Sequence, residues 1–311
     1  MQDLLKLVAG SANPALAQEI SQHLGIKLTA VDVGRFPDGE TSIYIRETVR
    51  GADVFVIQPT CPPVNDNLME LLLTIDALKR ASAERITAVI PYYGYARQDR
   101  KHIGRVPISA KLVANMIVRA GAGRVLTLDL PAGQIQGFFD IPVDNLRSDP
   151  IIAGYFQKQN LENAVIVAPD VGAAKRARAV AERLGMPMAI VEKSRVSPDE
   201  VRALGLIGDV KGRRAVLVDD IVATGGTLIE AAKLLLECGA TEVYAAFTHG
   251  VFAGDAVRKL EASPIQKIAV TNTIPVPHSP KIDVISVGVL LAETIKRIHY
   301  HESVSEMFPH D

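Results

Sequence analysis

The sequence predicts an α/β protein with two domains, each a mainly parallel sheet flanked by helices. Short apolar runs rich in β-branched residues alternate with longer segments whose apolar residues recur at helical spacing. In both halves an apolar run is followed by an acidic residue, a turn and a helix, as at residues 164–168 and 215–218. This alternation is typical of parallel sheets. A length of 311 residues suits two domains of common size.

The composition excludes several classes of function. Apolar residues make up 48% and charged residues 22% of the chain, a balance typical of globular proteins. A net charge of −1 gives no general attraction to nucleic acid, and no apolar run reaches membrane-spanning length. Cys61 and Cys238 are the only cysteines, and the N-terminus lacks the pattern of a signal peptide. We therefore expect a cytoplasmic protein without nucleic-acid or membrane partners.

The first half, residues 1–148, is predicted to form the N-terminal domain. Asn13 or Ser11 can cap the first helix, and Gly25 ends it. A turn-rich loop at 35–41 is, taken alone, a hairpin turn. Strands are predicted at 4–9, 28–33, 41–45, 53–58, 86–90, 125–130 and within 140–147, and helices up to residue 24, at 65–81 and at 107–120.

The second half, residues 149–311, is predicted to form the C-terminal domain, with its last residues packing back on the first. A polar segment from Lys193 to about Glu200 predicts a mobile loop. Strands are predicted at 164–168, 188–192, 215–218, 242–247, 267–271 and 284–286, and helices at 150–159, 173–184, 228–238, 254–262 and 289–297.

The stretch from Arg214 to Leu228 carries the most informative pattern. Its apolar run suits a buried parallel strand, and two adjacent carboxylates, Asp219 and Asp220, follow. Glycines let a backbone approach a ligand closely, and the free N–H groups that begin a helix favour phosphate. The small-residue loop that precedes the predicted helix consists of Ala223, Thr224, Gly225, Gly226 and Thr227.

The carboxylates and the loop together predict a sugar-phosphate site. Carboxylates would repel a phosphate, so we expect Asp219 and Asp220 to accept hydrogen bonds from sugar hydroxyls or to hold a metal. An ordinary strand–turn–helix connection is the weaker alternative, because the whole combination is rarely met by chance. Neither GxxxxGK[ST] nor GxGxxG occurs, so a P-loop or a dinucleotide fold has no motif support.

A second loop, residues 91–101, reads PYYGYARQDRK and directly follows a predicted buried strand. It contains three tyrosines and four charged residues. Such a loop can hold a nucleotide, with rings or guanidinium groups against the base and cations on the phosphates. A solvated loop is the alternative.

Five motifs together resemble one family, the class I ribose-phosphate diphosphokinases (PRPP synthetases). The similarity runs in order and without large gaps from about residue 7 to residue 308. The loop at 219–227 by itself also resembles the ribose-5-phosphate loop of the type I phosphoribosyltransferase fold. The five motifs are FPDGE at 36–40, YARQD at 95–99, QIQGFF at 134–139, PVDNL at 142–146 and VDD at 218–220.

The resemblance implies two related type I phosphoribosyltransferase-like domains and a magnesium-dependent reaction. In that reaction the anomeric hydroxyl of ribose 5-phosphate attacks the β-phosphorus of Mg-ATP, giving AMP and 5-phospho-α-D-ribose 1-diphosphate. The resemblance also implies a homo-oligomer of dimers stacked into a hexamer, with phosphate as activator and ADP as inhibitor.

The family's motifs imply roles for individual residues. Lys193 and Arg195 are the expected catalytic residues, neutralising charge on the moving diphosphate from a mobile loop. Asp129 and Asp170 are the expected ligands of Mg²⁺. The residues expected to bind ATP are Phe36, Asp38, Glu40, Arg97, Gln98 and Asp99, the first three receiving adenine from a neighbouring subunit. Those expected to bind ribose 5-phosphate are Asp219, Asp220, Thr224, Gly225, Gly226 and Thr227.

Two positions depart from the family pattern. Pro131 stands where the family usually has a histidine near the ATP phosphates and metal, and Ala223 where it usually has an acid. Proline offers neither a side-chain donor nor a ligand. These departures leave open a catalytically weakened, regulatory paralogue. A phosphoribosyltransferase is the other alternative, disfavoured by the two-domain length and by the loop at 95–99.

Overall fold

The computed structural model describes residues 4–159, 161–195 and 201–308, with the backbone alone at 193–195 and 201–204. The chain forms two compact units. The first comprises Met1–Leu146 and Val287–Asp311, and the second comprises Arg147–Ser286. Each unit has a mainly parallel sheet flanked by helices, so the predicted fold class is confirmed.

The first unit is built on a five-stranded sheet in the order β1-β4-β5-β6-β7, and every neighbouring pair is parallel. A separate antiparallel hairpin, β2 and β3, precedes β4 in the chain. The strands are β1 (Leu4–Ala9), β2 (Val31–Arg35), β3 (Thr41–Ile45), β4 (Ala52–Ile57), β5 (Arg85–Ile90), β6 (Arg124–Leu128) and β7 (Val143–Leu146). The helices between them are α1 (Pro14–Leu24), α2 (Val64–Arg80) and α3 (Ser109–Ala120).

Local signals in the sequence set the bounds of α1. The Asn13 side chain accepts a hydrogen bond from the N–H of Leu16, and Pro14 occupies the first helical position. Gly25 ends the helix in the left-handed region with φ of 66°. The predicted second strand begins later than expected, because Leu28 forms only an isolated bridge with Leu7.

The core of the first unit explains why its strands read as unbroken apolar runs. All six residues of β4 are buried, since it lies between β1 and β5 and is covered by helices. On α2, Leu71, Ile75 and Leu78 recur at helical spacing and belong to the same buried cluster. Burying each such side chain contributes about 1.5–3 kcal/mol.

The second unit has a seven-stranded sheet in the order β10-β9-β8-β11-β12-β13-β14. The β9–β10 pair is antiparallel and all other pairs are parallel. The strands are β8 (Ala164–Ala168), β9 (Met188–Arg195), β10 (Val201–Ile207), β11 (Arg214–Val222), β12 (Glu242–Gly250), β13 (Ile265–Thr271) and β14 (Ile282–Ile285). The helices are α4 (Asp149–Gln159), α5 (Ala174–Leu184), α6 (Gly226–Glu237) and α7 (Ala256–Glu261).

The strand order of this second sheet reverses between β8 and β11. The chain proceeds outward from β8 to β10 on one side and from β11 to β14 on the other. In open α/β sheets, such a reversal leaves a crevice at the carboxyl ends of the two strands, where ligands bind. The residues that end or follow β8 and β11 are therefore expected to form a ligand site.

The last helix, α8 (Gly288–His299), belongs to the first unit. It packs against α1 so closely that a Cβ added at Gly288 would lie 2.6 Å from Cδ of Glu19. Its end is held by His299, whose Nδ1 lies 2.8 Å from Oδ2 of the buried Asp53. The chain therefore returns to the first unit at Val287, whereas the sequence prediction assigned residues 149–311 to the second domain, with only its last residues packing back on the first.

The predicted loop from Lys193 is wrong for its first three residues. Residues 193–195 continue β9 and pair with β10, with Lys193 opposite Ala203 and Arg195 opposite Val201. β10 lies at the edge of the sheet, where polar residues are common. The remainder of the predicted loop, residues 196–200, lies outside the described residues. In the part of the chain that the structure describes, no helix is long and apolar enough to cross a membrane.

Candidate active site

Asp219 and Asp220 lie on β11 itself, and the prediction that they follow the strand is wrong. β11 runs on to Val222 because its pairing with β12 continues there, with Val222 opposite Gly250. Its pairing with β8 ends at Leu217. The two carboxylates thus project beyond the end of β8, at the reversal of strand order.

One arginine of α5 contacts both carboxylates. Nη1 of Arg176 lies 3.3 Å from Oδ1 of Asp219 and 3.6 Å from Oδ1 of Asp220. All three side chains are at most 22% exposed, so the ion pairs are shielded from water. Burial, and then the charge of Asp220, raise the pKa of Asp219 above its ordinary value, against the opposing effect of Arg176.

The loop after β11 leads directly into α6. Gly225 takes the cap position with φ of 76°, a left-handed conformation that favours glycine, and α6 has no side-chain cap. A Cβ added there would lie 3.2 Å from the Leu260 side chain. Thr224 and Thr227 are exposed. The N–H groups at this helix start and the two hydroxyls form an arrangement that can receive a phosphate.

Asp170 lies at the neighbouring strand end, after β8. Its Oδ1 accepts a hydrogen bond of 3.1 Å from the N–H of Ala173, which caps a short 3₁₀ turn before α5. The structure therefore brings the strand ends that carry Asp170, Asp219 and Asp220 to the same edge of the second sheet. Carboxylates at this edge fit hydroxyl groups or a hard cation such as Mg²⁺.

The loop at 91–101 follows β5 in the first unit. Arg97 and Gln98 are exposed, and they line a cleft of about 590 Å³ together with Val64, Asn65 and Tyr95. Oε1 of Gln98 accepts a hydrogen bond from the hydroxyl of Ser109, which is the first residue of α3. Asp99 accepts a bond of 3.3 Å from Nε2 of Gln134. Contacts from distant parts of the chain thus hold this loop.

The residues 36–40 form the turn of the β2–β3 hairpin, in agreement with the hairpin prediction. The N–H of Phe36 donates to the carbonyl of Glu40 at 2.8 Å, and Oδ1 of Asp38 accepts from the N–H of Glu40 at 3.2 Å. All five residues are exposed, and the Phe36 side chain is 54% exposed. An aromatic ring held at an exposed turn is available to a ligand or to another chain.

Asp129 follows β6 with a positive φ of 40°, an uncommon conformation for a non-glycine residue. Its N–H donates to the carbonyl of Leu146 at 2.9 Å, which fixes it beside the end of β7. Pro131 is exposed. Among the described residues, no group of three or more His, Cys, Asp or Glu side chains converges. Single carboxylates still fit Mg²⁺, which is commonly held by one or two of them plus substrate phosphates.

Sequence reasoning missed two residues that hold the candidate site. Arg176 lies 43 positions before Asp219, and Ser109 lies 11 positions after Gln98. Arg176 could have been considered, because α5 begins just beyond Asp170 at the same sheet edge. Ser109 gave no signal of its own. The side chains of Lys193 and Arg195 lie outside the described residues, so their predicted catalytic role stays a prediction.

Comparison with known proteins identifies the family. A family model described as the N-terminal domain of ribose phosphate pyrophosphokinase matches residues 5–121, and one described as the phosphoribosyl synthetase-associated domain matches residues 192–309. A ribose-phosphate pyrophosphokinase from Caldanaerobacter subterraneus subsp. tengcongensis is 56% identical over 308 residues, 98% of each chain. The chain belongs to the ribose-phosphate pyrophosphokinase family.

Two further relatives agree with this assignment. The ribose-phosphate pyrophosphokinase of Wolinella succinogenes is 52% identical, over 97% of this chain and 98% of that one. The crystal structure of phosphoribosylpyrophosphate synthetase from Mycobacterium smegmatis matches with a TM-score of 0.91 and 43% identity, covering 96% of this chain and all of that one. The family predicted from the motifs is confirmed, while its subdivision into class I stays a prediction.

Proposed function

We infer that this chain is an active ribose-phosphate pyrophosphokinase, which forms 5-phospho-α-D-ribose 1-diphosphate and AMP from ATP and ribose 5-phosphate. The observation that carries this inference is identity above 50% along almost the whole chain to enzymes of that name. The sugar-phosphate arrangement at the reversal of the second sheet supports it, because both carboxylates and the phosphate loop are present.

The ribose 5-phosphate is bound by the second unit. Its phosphate accepts hydrogen bonds from the N–H groups at the start of α6 and from Thr224 and Thr227. Asp219 and Asp220 accept hydrogen bonds from the ribose hydroxyls, which leaves the anomeric hydroxyl to react. Arg176 keeps the two carboxylates together despite their mutual repulsion.

The ATP is bound by residues of the first unit, namely Arg97, Gln98 and Asp99. The anomeric oxygen forms a bond with the β-phosphorus and its proton passes to solvent, as the bond from that phosphorus to the α-phosphate oxygen breaks and AMP leaves. Transfers of this kind depend on positioning and charge neutralisation more than on covalent help from the protein. Lys193 and Arg195 are proposed to neutralise the charge of the moving diphosphate.

Mg²⁺ is the proposed cofactor. Asp129 in the first unit and Asp170 in the second unit are the proposed ligands, each acting with phosphate oxygens of a substrate, a donor set that matches the preference of Mg²⁺ for oxygen ligands. When bound, it would reduce the negative charge of the triphosphate. Pro131 offers no ligand, so the chain's own contribution to the metal consists of carboxylates.

The working form is proposed to be a homo-oligomer, with dimers stacked into a hexamer and with phosphate and ADP as effectors. The exposed ring of Phe36 supports this proposal, because Phe36, Asp38 and Glu40 would receive adenine bound to a neighbouring subunit. Cys61 and Cys238 are both free thiols, which supports the proposed cytoplasmic location.

Phosphorus NMR tests the proposed activity directly. The purified chain is incubated with ATP, Mg²⁺ and ribose 5-phosphate, and a matched sample omits the sugar. We expect signals of AMP and of a sugar diphosphate that depend on the sugar and accumulate over many turnovers. Binding of ATP without conversion would instead favour the weakened regulatory paralogue. The variant Pro131→His would then be tested for restored turnover.

A further inference from the structure

The cleft beside Arg97 and Gln98 has lining residues with no role in the proposed reaction. The cleft, of about 590 Å³, is also lined by Val64, Asn65 and Tyr95. Asn65 and Tyr95 come from separate parts of the chain, the first turn of α2 and the loop after β5. They meet through a hydrogen bond in which the Tyr95 hydroxyl donates to Oδ1 of Asn65.

The backbone fixes Tyr95 in place. Its φ of 67° is uncommon for a residue with a bulky side chain, and its carbonyl accepts a bond of 3.0 Å from the N–H of Gln98. The preceding Gly94 packs so tightly that a Cβ there would lie 2.4 Å from the Thr60 carbonyl oxygen. The N–H of Gly94 also donates to Oγ1 of Thr60 at 2.6 Å. The ring of Tyr95 is thus directed toward α2 by a well-held turn.

The bond from Tyr95 determines which end of the Asn65 amide is available. Because Oδ1 accepts from Tyr95, the Nδ2 group keeps both of its N–H donors. Nδ2 has no hydrogen-bond partner among the residues that the structure describes. The next two residues of α2 are engaged elsewhere, since Asp66 pairs with Arg35 at 2.7 Å and Asn67 donates to the Cys61 carbonyl at 2.8 Å.

Three polar side chains that line the cleft, those of Asn65, Arg97 and Gln98, present donors. The guanidinium of Arg97 has donors only. Gln98 has its Oε1 occupied by Ser109, which leaves its Nε2 donors for a ligand. The Asn65 amide is engaged in the same way, because its Oδ1 accepts from Tyr95 and its Nδ2 donors stay available. Three donor groups around one cleft fit a ligand that is rich in acceptors and negatively charged, as a nucleoside triphosphate is.

We propose that Asn65 is a further nucleotide-contacting residue, which donates from Nδ2 to an acceptor atom of ATP. Tyr95 is a positioning residue, which holds the amide in the orientation that presents its nitrogen. The inference rests on the proposed function, because ATP is the ligand assigned to Arg97 and Gln98. It adds a contact from α2 to the residues that the sequence motifs identified.

Three variants test the inference through the KM for ATP and the Kd for Mg-ATP. Asn65→Leu removes the donors, and we expect both constants to rise about 10-fold, with the KM for ribose 5-phosphate unchanged. Asn65→Asp keeps an acceptor for Tyr95 but replaces the donors by a negative charge, so its loss should equal or exceed that of Asn65→Leu. Tyr95→Phe releases the amide, and a rise of about 3-fold is expected.

Asn65→Asp separates a direct contact from a merely structural role. An acid in the first turn of a helix is favourable, so this variant should fold normally. If Asn65 served only to anchor Tyr95, then Asn65→Asp would bind ATP like the wild type, and the inference would be overturned. Unchanged ATP affinity in Asn65→Leu would overturn it as well.

The matched control is Tyr155→Phe. Its hydroxyl also donates to a side-chain oxygen, at 2.6 Å from Oδ2 of Asp283, but it has no role in the proposed reaction. We expect its ATP constants to equal those of the wild type. Turnover by the wild type tests the proposed function separately: if the wild type is active and the Asn65 variants match it, the contact from Asn65 is excluded while the function stands.

Discussion

The two candidate binding regions are built from different parts of the polypeptide. In the second unit, the loop after β11 offers backbone N–H groups, and its shape depends on Gly225 with φ of 76°. In the first unit, the loop after β5 offers side chains, and Gln98 and Tyr95 are held by Ser109 and Asn65. A site made of backbone is encoded over a few consecutive residues, whereas a site made of side chains depends on contacts from distant segments.

The charged groups of the two regions also differ in their burial and in their counterions. Asp219 and Asp220 are mostly buried and share Arg176 as a counterion. Arg97 is exposed. We therefore expect changes in the second unit to alter both stability and sugar binding, and changes in the first unit to alter nucleotide binding with little effect on stability.

The largest effect should follow from removing both carboxylates of β11. In the double variant Asp219→Asn/Asp220→Asn, the hydrogen bonds that the carboxyl pair accepts from ribose are lost, and a bond to an ionised carboxylate alone is worth about 1.5–3 kcal/mol. We expect kcat/KM for ribose 5-phosphate to fall at least about 100-fold, measured by steady-state kinetics. Asp209→Asn is the control, since Asp209 is exposed and, among the residues that the structure describes, accepts a hydrogen bond only from the N–H of Lys211, at 3.0 Å. A similar loss in the control would contradict the assignment.

A change of backbone conformation in the phosphate loop comes next. Gly225→Ala introduces about 1–2 kcal/mol of strain in the left-handed region and a contact with Leu260, and we expect the KM for ribose 5-phosphate to rise about 10-fold. Gly212→Ala is matched in strain, because Gly212 has φ of 70° and open space around its Cβ position. Thermal unfolding should show reduced stability in both variants, whereas the KM for ribose 5-phosphate should change only in Gly225→Ala. Equal KM values in the two variants would refute phosphate binding by the backbone of this loop.

The raised pKa of Asp219 predicts a dependence of stability on pH. The folded chain favours the protonated carboxyl, so this contribution is complete below the ordinary pKa of 3.8 and is lost as pH rises toward the raised value. Asparagine does not ionise, so the variant Asp219→Asn does not lose this stability as pH rises. We expect its free energy of unfolding, relative to the wild type, to increase by at least about 1 kcal/mol between pH 5 and pH 8 in urea titrations.

Asp283→Asn is the control for this pH dependence. Although burial raises the pKa of Asp283, hydrogen bonds from Tyr155 and Lys267 lower it overall. The stability that Asp283 contributes is therefore present above pH 3.8 and is lost only as pH falls. This variant should be less stable than the wild type by the same amount at pH 5 and pH 8. A flat difference for Asp219→Asn would show that Arg176 outweighs burial.

The smallest effect should come from the support of the nucleotide loop. Ser109→Ala removes the hydroxyl that holds Oε1 of Gln98, and the amide is then free to rotate. We expect the KM for ATP to rise about 3-fold, with kcat and the KM for ribose 5-phosphate unchanged. Ser279→Ala is the control, because the Ser279 hydroxyl donates at 2.7 Å to Oε1 of Glu261 in the second unit. An equal change of both KM values would argue against a positioning role.

Most helices and strands could be predicted from the sequence, because their apolar residues recur with the period of the element. The bounds of β3 and β8 agree with the prediction to the residue. The prediction missed β10, and it ended β9 too early because the last three residues of that strand, 193–195, are polar. It also ended β11 four residues early, because Asp219 and Asp220 were taken as the start of a loop.

The candidate site divides in the same way. The phosphate loop and its carboxylates were found from consecutive residues, since glycines and a helix start carry the chemistry locally. Arg176, Ser109 and Asn65 were not found, because an arginine, a serine or an asparagine on a helix is ordinarily a solvated residue. The role of each of these residues depends on the side chain that the fold places beside it.

The sequence by itself determined the alternation of strands and helices, the family and the residues of the phosphate loop. Only the tertiary structure decided that α8 returns to the first unit, that β11 carries its carboxylates past the end of β8, and that Asn65 meets Tyr95. The physical reason is the range of the interactions. Backbone conformation and periodicity are set by residues a few positions apart, whereas ion pairs and hydrogen bonds between side chains join residues tens of positions apart.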